Sequence, residues 1–314
     1  MSMLGAVRGW LRRRSLWNWF QEVNREGWSA AWRRSAVQGR ILDTPPMYTA
    51  LTGPVEIRVL TWRRDWVNLL WALKSFYYYA EIDYPLYIHD GGLTPRQTAQ
   101  LRLHFPTAYL PSCSELDARV EATLHERSLN RCLAYRRKNV SVRKLFDFFL
   151  LSTAELVLTI DSDIVFFRRP AELLVGPGTF RNNLYNQDED YWYSLSLDEL
   201  ESSFGVRPPS RINSGLALIR RTSIDFDAVE RWLSHPKLFA DSWVTEQTLH
   251  ALCSTLHGVE LLPSSYRVST RPGLANGLVC KHYPGYFRPL LYEEGMTQLL
   301  QTGFLQAFRA RFGK

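Results

Sequence analysis

The chain of 314 residues is long enough for one large domain or two small ones, and its 46% hydrophobic and 22% charged residues exclude a disordered protein. The net charge of +7 is concentrated in residues 1–40, where eight arginines and two glutamates give 8 − 2 = +6. Residues 41–314 therefore carry only +1, which argues against a nucleic-acid-binding body. No apolar run approaches the ~18 residues of a transmembrane helix.

The four cysteines form no C-x-x-C pair, which argues against a zinc knuckle and favours reduced thiols in a cytoplasmic protein. The N-terminal arginines precede no continuous apolar segment, so no signal peptide is predicted. Residues 1–40 contain five of the eleven tryptophans and are predicted to form a basic helical arm. Two interpretations stay open: peripheral contact with an anionic membrane at its inner face, or helices that pack on the body. Residues 41–54 are predicted to be a linker and 55–314 the main domain.

Strands and helices alternate along the main domain. Strands are predicted at 55–61, 84–90 and 107–111, and again at 156–167, and a helix is predicted to begin at Ser141. Asp65 is expected to cap the helix after the first strand, and Thr94 with Gln97 is expected to form a capping box. Residues 213–221 are a further predicted strand, and 243–256 and 293–312 are predicted helices. This alternation predicts an α/β fold, a mostly parallel sheet flanked by helices.

Two aspartates interrupt the apolar segment "LTIDSDIVFFRRP" at residues 158–170. In an extended chain Asp161 and Asp163 share one face and Ser162 takes the other. Ligands bind at the carboxyl ends of parallel strands, and two carboxylates there repel each other unless a cation lies between them. Oxygen ligands of this kind suit Mn²⁺ or Mg²⁺, often together with a diphosphate. The alternative is a structural turn, with one aspartate paired to Arg168 or Arg169.

The order of motifs resembles the glycosyltransferases with the GT-A (Rossmann-like) fold, and more narrowly glycosyltransferase family 8, the glycogenin and lipopolysaccharide galactosyltransferase type. The matching segments, which cover residues 55–289 in order, are "VLTWRRDWVNLLWALKSF", "VRKLFDFFLLSTAELVLTIDSD", "INSGLALIRR", "TEQTLHAL" and "KHYPGYFRP". The chain departs from the family pattern with Glu246 in place of Asp, Arg288 in place of Lys and Leu290 in place of Trp.

The resemblance implies a role for each matching residue. It implies that a metal ion is held by Asp161, Asp163 and His282. It implies that the nucleotide-sugar donor is bound by Thr61, Asp65, Lys144, Ser162, Gly285 and Arg288. It implies that transfer involves Asn213, Glu246 and Gln247.

The implied function is metal-dependent transfer of a sugar from a nucleotide-diphosphate donor, with UDP favoured, to a hydroxyl acceptor, with retention of configuration. The acceptor is expected to be a glycan or glycolipid, and the aromatic stretch 180–194 is either its binding loop or a surface loop. Two alternatives remain open. One is a metal-dependent nucleotidyltransferase, although no glycine-rich loop follows the first strand, and the other is a non-catalytic protein that binds membrane or nucleic acid.

Overall fold

The computed structural model describes residues 23–24, 27–240, 243–269, 271–273 and 275–313. The first part of this chain contains α1 (Trp28–Val37), β1 (Val55–Thr61), α2 (Trp66–Ala80), β2 (Leu86–Asp90), α3 (Pro95–His104), α4 (Cys113–Glu126), α5 (Asn130–Lys138), α6 (Arg143–Leu151), β3 (Leu156–Ile160) and β4 (Ile164–Phe166). A 3₁₀ turn, Gln38–Asp43, follows α1. The capping box of Thr94 and Gln97 begins α3 as predicted.

The second part begins with a strand in the stretch 180–194, where none was predicted. Its elements are β5 (Asn183–Gln187), α7 (Leu197–Phe204), β6 (Ile212–Arg220), α8 (Phe226–Trp232), α9 (Pro236–Phe239), α10 (Val244–Thr255), β7 (Val259–Leu261), β8 (Tyr266–Val268), β9 (Cys280–His282), α11 (Arg288–Leu290), α12 (Met296–Gln301) and α13 (Phe304–Phe312). Within the described ranges, no helix has both the length and the apolar composition needed to cross a bilayer.

One sheet organises the described chain, with the strand order β2-β1-β3-β6-β5-β8-β9-β4 and β7 beside β5. Strand β1 runs parallel to β2 and β3, whereas β6 runs antiparallel to β3 and β5. Alternate residues of β3 and β6 enter two hydrophobic cores on opposite faces, with Leu158 and Leu218 in one and Val157 and Ile219 in the other. The predicted fold class, an α/β sheet flanked by helices, is confirmed.

Two predicted strands differ in the structure. The segment 156–167 is not one strand, because the chain turns at Asp161–Asp163 and β4 leaves to pair with β9 at the far end of the sheet order. Residues 107–111 form only an isolated bridge, between Tyr109 and Tyr87. Single β-bridges need few contacts, so a short apolar segment does not distinguish them from strands.

Residues from Trp28 onward contact the main domain. The indole Nε1 of buried Trp71 donates to the carbonyl of Gln38 at 2.8 Å, and the Gln38 amide donates to Asn68 Oδ1 at 2.6 Å. Helix α1 buries Ala30 and Ala31 and exposes Trp28 and Trp32. Residues 1–22, which include the first three tryptophans of the predicted arm, lie outside the described residues. The division into arm, linker and domain remains a prediction.

Candidate functional site

The sheet brings the ends of several strands to one place. Strand β3 ends at Ile160, and its antiparallel partner β6 begins at Ile212, so Asp161 and Asn213 lie at the same edge. The amide of Asp161 donates to the Gly215 carbonyl at 2.8 Å. Strand β9 brings His282 opposite Ile164, next to Asp163. The topology therefore assembles residues that lie more than a hundred positions apart in the sequence.

Asp161, Asp163 and His282 form a compact cluster, as the metal prediction requires. One ligand atom from each lies within 4.8 Å of the other two. His282 Nε2 is 3.1 Å from Asp163 Oδ1 and 4.0 Å from Asp161 Oδ2. Two carboxylates and an imidazole are ligands that Mn²⁺ accepts, so the residues present fit a divalent ion.

Gly215 leaves the space in which this cluster fits. A Cβ at this position would lie 2.5 Å from His282 Cε1 and 2.9 Å from Asp161 Oδ2, both closer than real Cβ contacts. Its amide donates to Asn213 Oδ1 at 3.0 Å, and the same oxygen lies 3.1 Å from His282 Nδ1. The segment Asn213–Gly215 therefore orients the imidazole and permits its close approach to Asp161.

Arg288 and Lys144 supply the charge that offsets the two aspartates. Arg288 reaches both Asp163 and Asp65, with Nη1 3.2 Å from Asp65 Oδ1. Lys144 Nζ lies 3.1 Å from Asp161 Oδ2. Asp65 stands at the N-terminus of α2 but makes no capping hydrogen bond, so the predicted cap is wrong. Arg169 pairs with Glu81 and not with Asp161 or Asp163, so the alternative pairing of an aspartate with Arg169 is not observed.

Lys144 has a second acidic neighbour besides Asp161, which is Glu246. Glu246 Oε2 lies 3.8 Å from Lys144 Nζ and accepts a hydrogen bond from Ser214 Oγ at 2.9 Å. Its second oxygen lies 3.1 Å from Nε2 of buried His250, one helical turn later on α10. Burial opposes ionisation, but Lys144 and His250 outweigh it and lower the pKa of Glu246. The Glu246 carboxylate is therefore held charged at neutral pH.

Asp188 belongs to the site and was not among the predicted residues. Its oxygens accept from Asn213 Nδ2 and from Gln247 Nε2, each at 2.9 Å. Burial raises the pKa of Asp188 to about 6. The position directly follows β5, so recognition of that strand would have identified an aspartate at a strand end. Asn213 and Gln247 are thus joined by a carboxylate that the motifs do not contain, and their role in transfer remains a prediction.

The other predicted donor-binding residues are Thr61, Ser162 and Gly285. Thr61 ends β1, and its buried Oγ1 has no hydrogen-bond partner in the described part of the chain. Ser162 is buried in the turn between the two aspartates. Gly285 takes a positive φ of 53°, a conformation that favours glycine, in the turn that leads to Arg288. The structure places these residues but tests no role for them.

Two exposed tryptophans border the site. Trp192 and Trp243 are 40% and 61% exposed, with ring centroids 5.4 Å apart. Gln247 Nε2 donates to the Trp192 carbonyl at 3.1 Å, and Trp243 directly precedes α10, which carries Glu246 and Gln247. The aromatic pair is therefore adjacent to the polar cluster of Asp188 and Gln247.

Comparisons with known proteins give no matching family model and no matching curated protein. Similar solved structures include the bifunctional glycosyltransferase WbbM (15% identity, TM-score 0.46, 74% of this chain and 46% of that one) and mouse xyloside xylosyltransferase 1 (12%, 0.45, 76% and 98%). A third is the galactosyltransferase LgtC with donor and acceptor sugar analogues (15%, 0.43, 79% and 95%). The chain spans less than half the length of the WbbM chain. All three are glycosyltransferases by name, and at these identities and TM-scores they assign no chemistry to this chain.

Proposed function

We propose that this protein is a glycosyltransferase that uses a divalent metal ion and a nucleotide-diphosphate sugar, with UDP as the favoured nucleotide. The observation that carries the proposal is the convergence of Asp161, Asp163 and His282 within 4.8 Å. A divalent ion held by these three residues would stabilise negative charge on a leaving diphosphate. Two basic side chains next to the carboxylates, Arg288 and Lys144, suit the same anion.

The nucleotide-sugar donor is proposed to bind at Arg288, Lys144 and the end of β1. The planar guanidinium of Arg288 can bind a phosphate bidentately, and Lys144 supplies a second, compact charge. Both now pair with carboxylates, so a bound diphosphate would take over part of their hydrogen bonding. We assign Thr61, Asp65 and Ser162 to the nucleotide and Gly285 to the close approach of backbone and phosphate.

The sugar side of the site contains Asp188, Asn213 and Gln247. Asn213 and Gln247 both donate to Asp188. Amide and carboxylate groups of this kind can also hydrogen-bond the hydroxyls of a sugar. Asn213 and Gln247 are neutral amides that position hydroxyls without removing a proton. Glu246 remains an ionised carboxylate beside Lys144. The proposal includes transfer with retention, which the motif resemblance implies.

Trp192 and Trp243 form the proposed acceptor platform. Indole faces combine a large apolar surface with a polar N–H, which suits the alternating CH and OH groups of a sugar ring. Exposed aromatic residues next to a polar site are a feature of binding surfaces. The acceptor is therefore proposed to be a hydroxyl of a glycan or a glycolipid.

Residues 1–40 are proposed to contact the inner face of an anionic membrane from the cytoplasmic side. The net charge of +6 supports this, as do the exposed Trp28 and Trp32 on α1. Vesicle co-sedimentation of the full chain and of a chain without residues 1–22 measures the contact. Equal binding of both forms to anionic vesicles would exclude a role for the first 22 residues.

Donor hydrolysis across a set of nucleotide sugars, with and without manganese, tests the main proposal. We expect the enzyme to hydrolyse one UDP-sugar, and we expect chelation of the metal ion to abolish this hydrolysis. Thermal shift with manganese plus UDP or GDP provides an independent measure, because a ligand that binds only the folded chain raises its Tm. No turnover and no shift with any nucleotide would refute the proposal.

A further inference from the structure

The ladder between β5 and β6 is irregular beside the candidate site. Its register shifts between Tyr185 and Asn186, and residues 214–216 of β6 have no partner on β5. Buried backbone amides in such a segment need acceptors outside the ladder. Side chains from β6 and α10 supply these acceptors here.

Two neutral amide side chains accept from this segment. Gly215 N donates to Asn213 Oδ1 at 3.0 Å, and Ser214 N donates to Gln247 Oε1 at 3.4 Å. Because a backbone N–H only donates, each contact is made by the amide oxygen, and the NH₂ group of each side chain is directed elsewhere. Asn213 and Gln247 are 6% and 5% exposed, so each NH₂ group needs an acceptor within the protein.

Asp188 is the acceptor for both NH₂ groups. Asn213 Nδ2 donates to its Oδ1 and Gln247 Nε2 donates to its Oδ2, each at 2.9 Å. The backbone amide of Asp188 donates to the Arg211 carbonyl at 2.9 Å, which fixes the main chain of this buried residue. A carboxylate has one oxygen for each of the two donors. A side-chain amide at this position would have a single oxygen and would place its own NH₂ group against one of them.

Asn213 in turn determines which nitrogen of His282 carries the proton. Its Oδ1 lies 3.1 Å from His282 Nδ1. Because an amide oxygen only accepts, Nδ1 is the donor in this contact. The other nitrogen, Nε2, lies 3.1 Å from Asp163 Oδ1 and is the one that can bind a metal ion. The orientation of the Asn213 amide thus decides how this buried imidazole faces the other ligands.

We propose that Asp188 is a positioning residue of the metal site, and that it acts on His282 through Asn213. Asp188 is not itself one of the three clustered ligands. By holding the Asn213 amide, it keeps Oδ1 against the imidazole, so that Nδ1 retains its proton and Nε2 is the nitrogen left for the ion. Through Gln247 the same carboxylate joins the metal ligands to the sugar side of the site. The inference rests on the proposed function, because it requires a divalent ion at the cluster.

Manganese binding to the full chain, measured by calorimetry and by electron paramagnetic resonance without nucleotide or sugar, tests the proposal. Asp188→Ala removes both acceptors, and we expect it to weaken manganese binding roughly tenfold. Asp225→Ala is the matched control, because it removes a carboxylate that caps α8 by accepting from the amides of Asp227 and Ala228. Urea unfolding is expected to show lower stability for both variants, whereas manganese affinity falls only in Asp188→Ala.

A double variant, Asp188→Asn with Asn213→Asp, exchanges the two side chains and keeps their hydrogen bonds. The carboxylate at position 213 accepts from Gly215 N, from His282 Nδ1 and from the amide at position 188, whose oxygen accepts from Gln247 Nε2. We expect this variant to bind manganese at least as tightly as the parent. It therefore separates the loss of the hydrogen bonds from the loss of the aspartate itself.

Weaker binding in Asp188→Ala, with parental binding in Asp225→Ala and parental or tighter binding in the double variant, supports the proposal. Parental affinity in Asp188→Ala would overturn it and leave the proposed function intact. Equally weakened binding in Asp225→Ala would also overturn it, because a general loss of stability would then explain the effect. Weak binding in the double variant would exclude the path through Asn213, and this variant decides alone where Asp188→Ala does not fold. Absence of manganese binding by the parent would refute both the metal site and this inference.

Discussion

Arg288 donates two hydrogen bonds to one oxygen of Asp163, from Nε at 3.2 Å and from Nη2 at 2.8 Å to Oδ2. The other oxygen, Oδ1, faces His282 Nε2 at 3.1 Å. Burial opposes ionisation of Asp163, but Arg288 and His282 outweigh it and hold its pKa below the ordinary value. Asp163 is thus a charged carboxylate. Its Oδ2 is held by the guanidinium of Arg288, and its Oδ1 faces His282, another of the proposed metal ligands.

Asp163→Asn is expected to abolish binding of manganese plus UDP and to lower the rate of sugar transfer roughly a thousandfold. The amide keeps the shape but loses the charge that a divalent ion requires. Calorimetry and donor turnover measure the two effects. Asp198→Asn, at a side chain that is 89% exposed, is the matched control. Binding by Asp163→Asn as tight as that of the parent would contradict the metal assignment.

Gly215→Ala is expected to weaken metal binding through displaced ligands. The new Cβ would meet His282 Cε1 at 2.5 Å and Asp161 Oδ2 at 2.9 Å, so one ligand has to move. Manganese binding, followed by electron paramagnetic resonance, reports the loss, and circular dichroism reports the fold. Gly176→Ala is the control, since its Cβ would meet nothing within 4 Å. Unchanged metal affinity in Gly215→Ala would show that this contact is unimportant.

Arg288→Gln is expected to destabilise the fold by about 2–3 kcal/mol, because Asp163 and Asp65 then lie close together without their cation. Manganese should restore part of this stability, since the ion takes up the charge on Asp163. Denaturant unfolding with and without manganese measures both effects. Arg288→Lys keeps the positive charge but loses the planar guanidinium. Its stability is expected to lie between that of the parent and that of Arg288→Gln. Equal stability of Arg288→Gln and the parent would show that the ion pairs of Arg288 with Asp163 and Asp65 do not stabilise the fold.

Lys74 is expected to make stability depend on pH. It is buried on α2, its Nζ donates to Thr44 Oγ1 and the Pro45 carbonyl and lies 3.0 Å from His104 Nδ1, and burial lowers its pKa to about 7. In the unfolded chain a lysine keeps its proton up to a pH of about 10.4. Between these values Lys74 binds its proton in the unfolded state and not in the fold, so its own contribution to stability rises with pH by up to about 1.4 kcal/mol per unit. Burial raises the pKa of Cys132, Cys253 and Cys280, which act in the opposite direction above the pKa of a free thiol, so the contribution of Lys74 is read as the difference between parent and variant.

Lys74→Met is expected to remove that rise, which urea unfolding at a series of pH values above neutrality measures. The rise should persist in Lys237→Met, at an exposed lysine paired with Glu199. The burial of His104 and its proximity to Lys74 lower the pKa of His104 to about 4, so its titration lies outside this window. A parallel pH profile for Lys74→Met and the parent would show that Lys74 is charged in the fold.

Trp243→Ala is expected to raise the acceptor KM roughly tenfold, with a smaller effect on the KM for the donor. The indole is 61% exposed in the free protein, so it has apolar surface to bury against a sugar ring. Steady-state kinetics with each substrate varied separates the two constants. Tyr48→Ala, at another exposed aromatic residue, is the control. A larger effect on the donor KM would assign Trp243 to the donor side.

Local signals in the sequence predicted much of the fold. The capping box of Thr94 and Gln97 and the helix with Glu246 and Gln247 appear as expected, and the predicted strand 156–167 is present only in part, as β3 and β4. These features depend on neighbouring residues, whose hydrogen bonding and burial follow the periods of helix and strand. The gathering of Asp161, Asp163 and His282 was implied by the resemblance in the order of motifs.

The sequence by itself determined that Asp161 and Asp163 follow a buried strand and that a carboxylate pair there needs a cation. Only the tertiary structure decided which cations are in place, since Arg288 lies 125 residues from Asp163 and reaches it because β4 pairs with β9. It also decided that the chain turns between the two aspartates and that Asp188 is buried against Gln247. Such pairings depend on strand order, and residue periodicity reports only the local exposure of a segment.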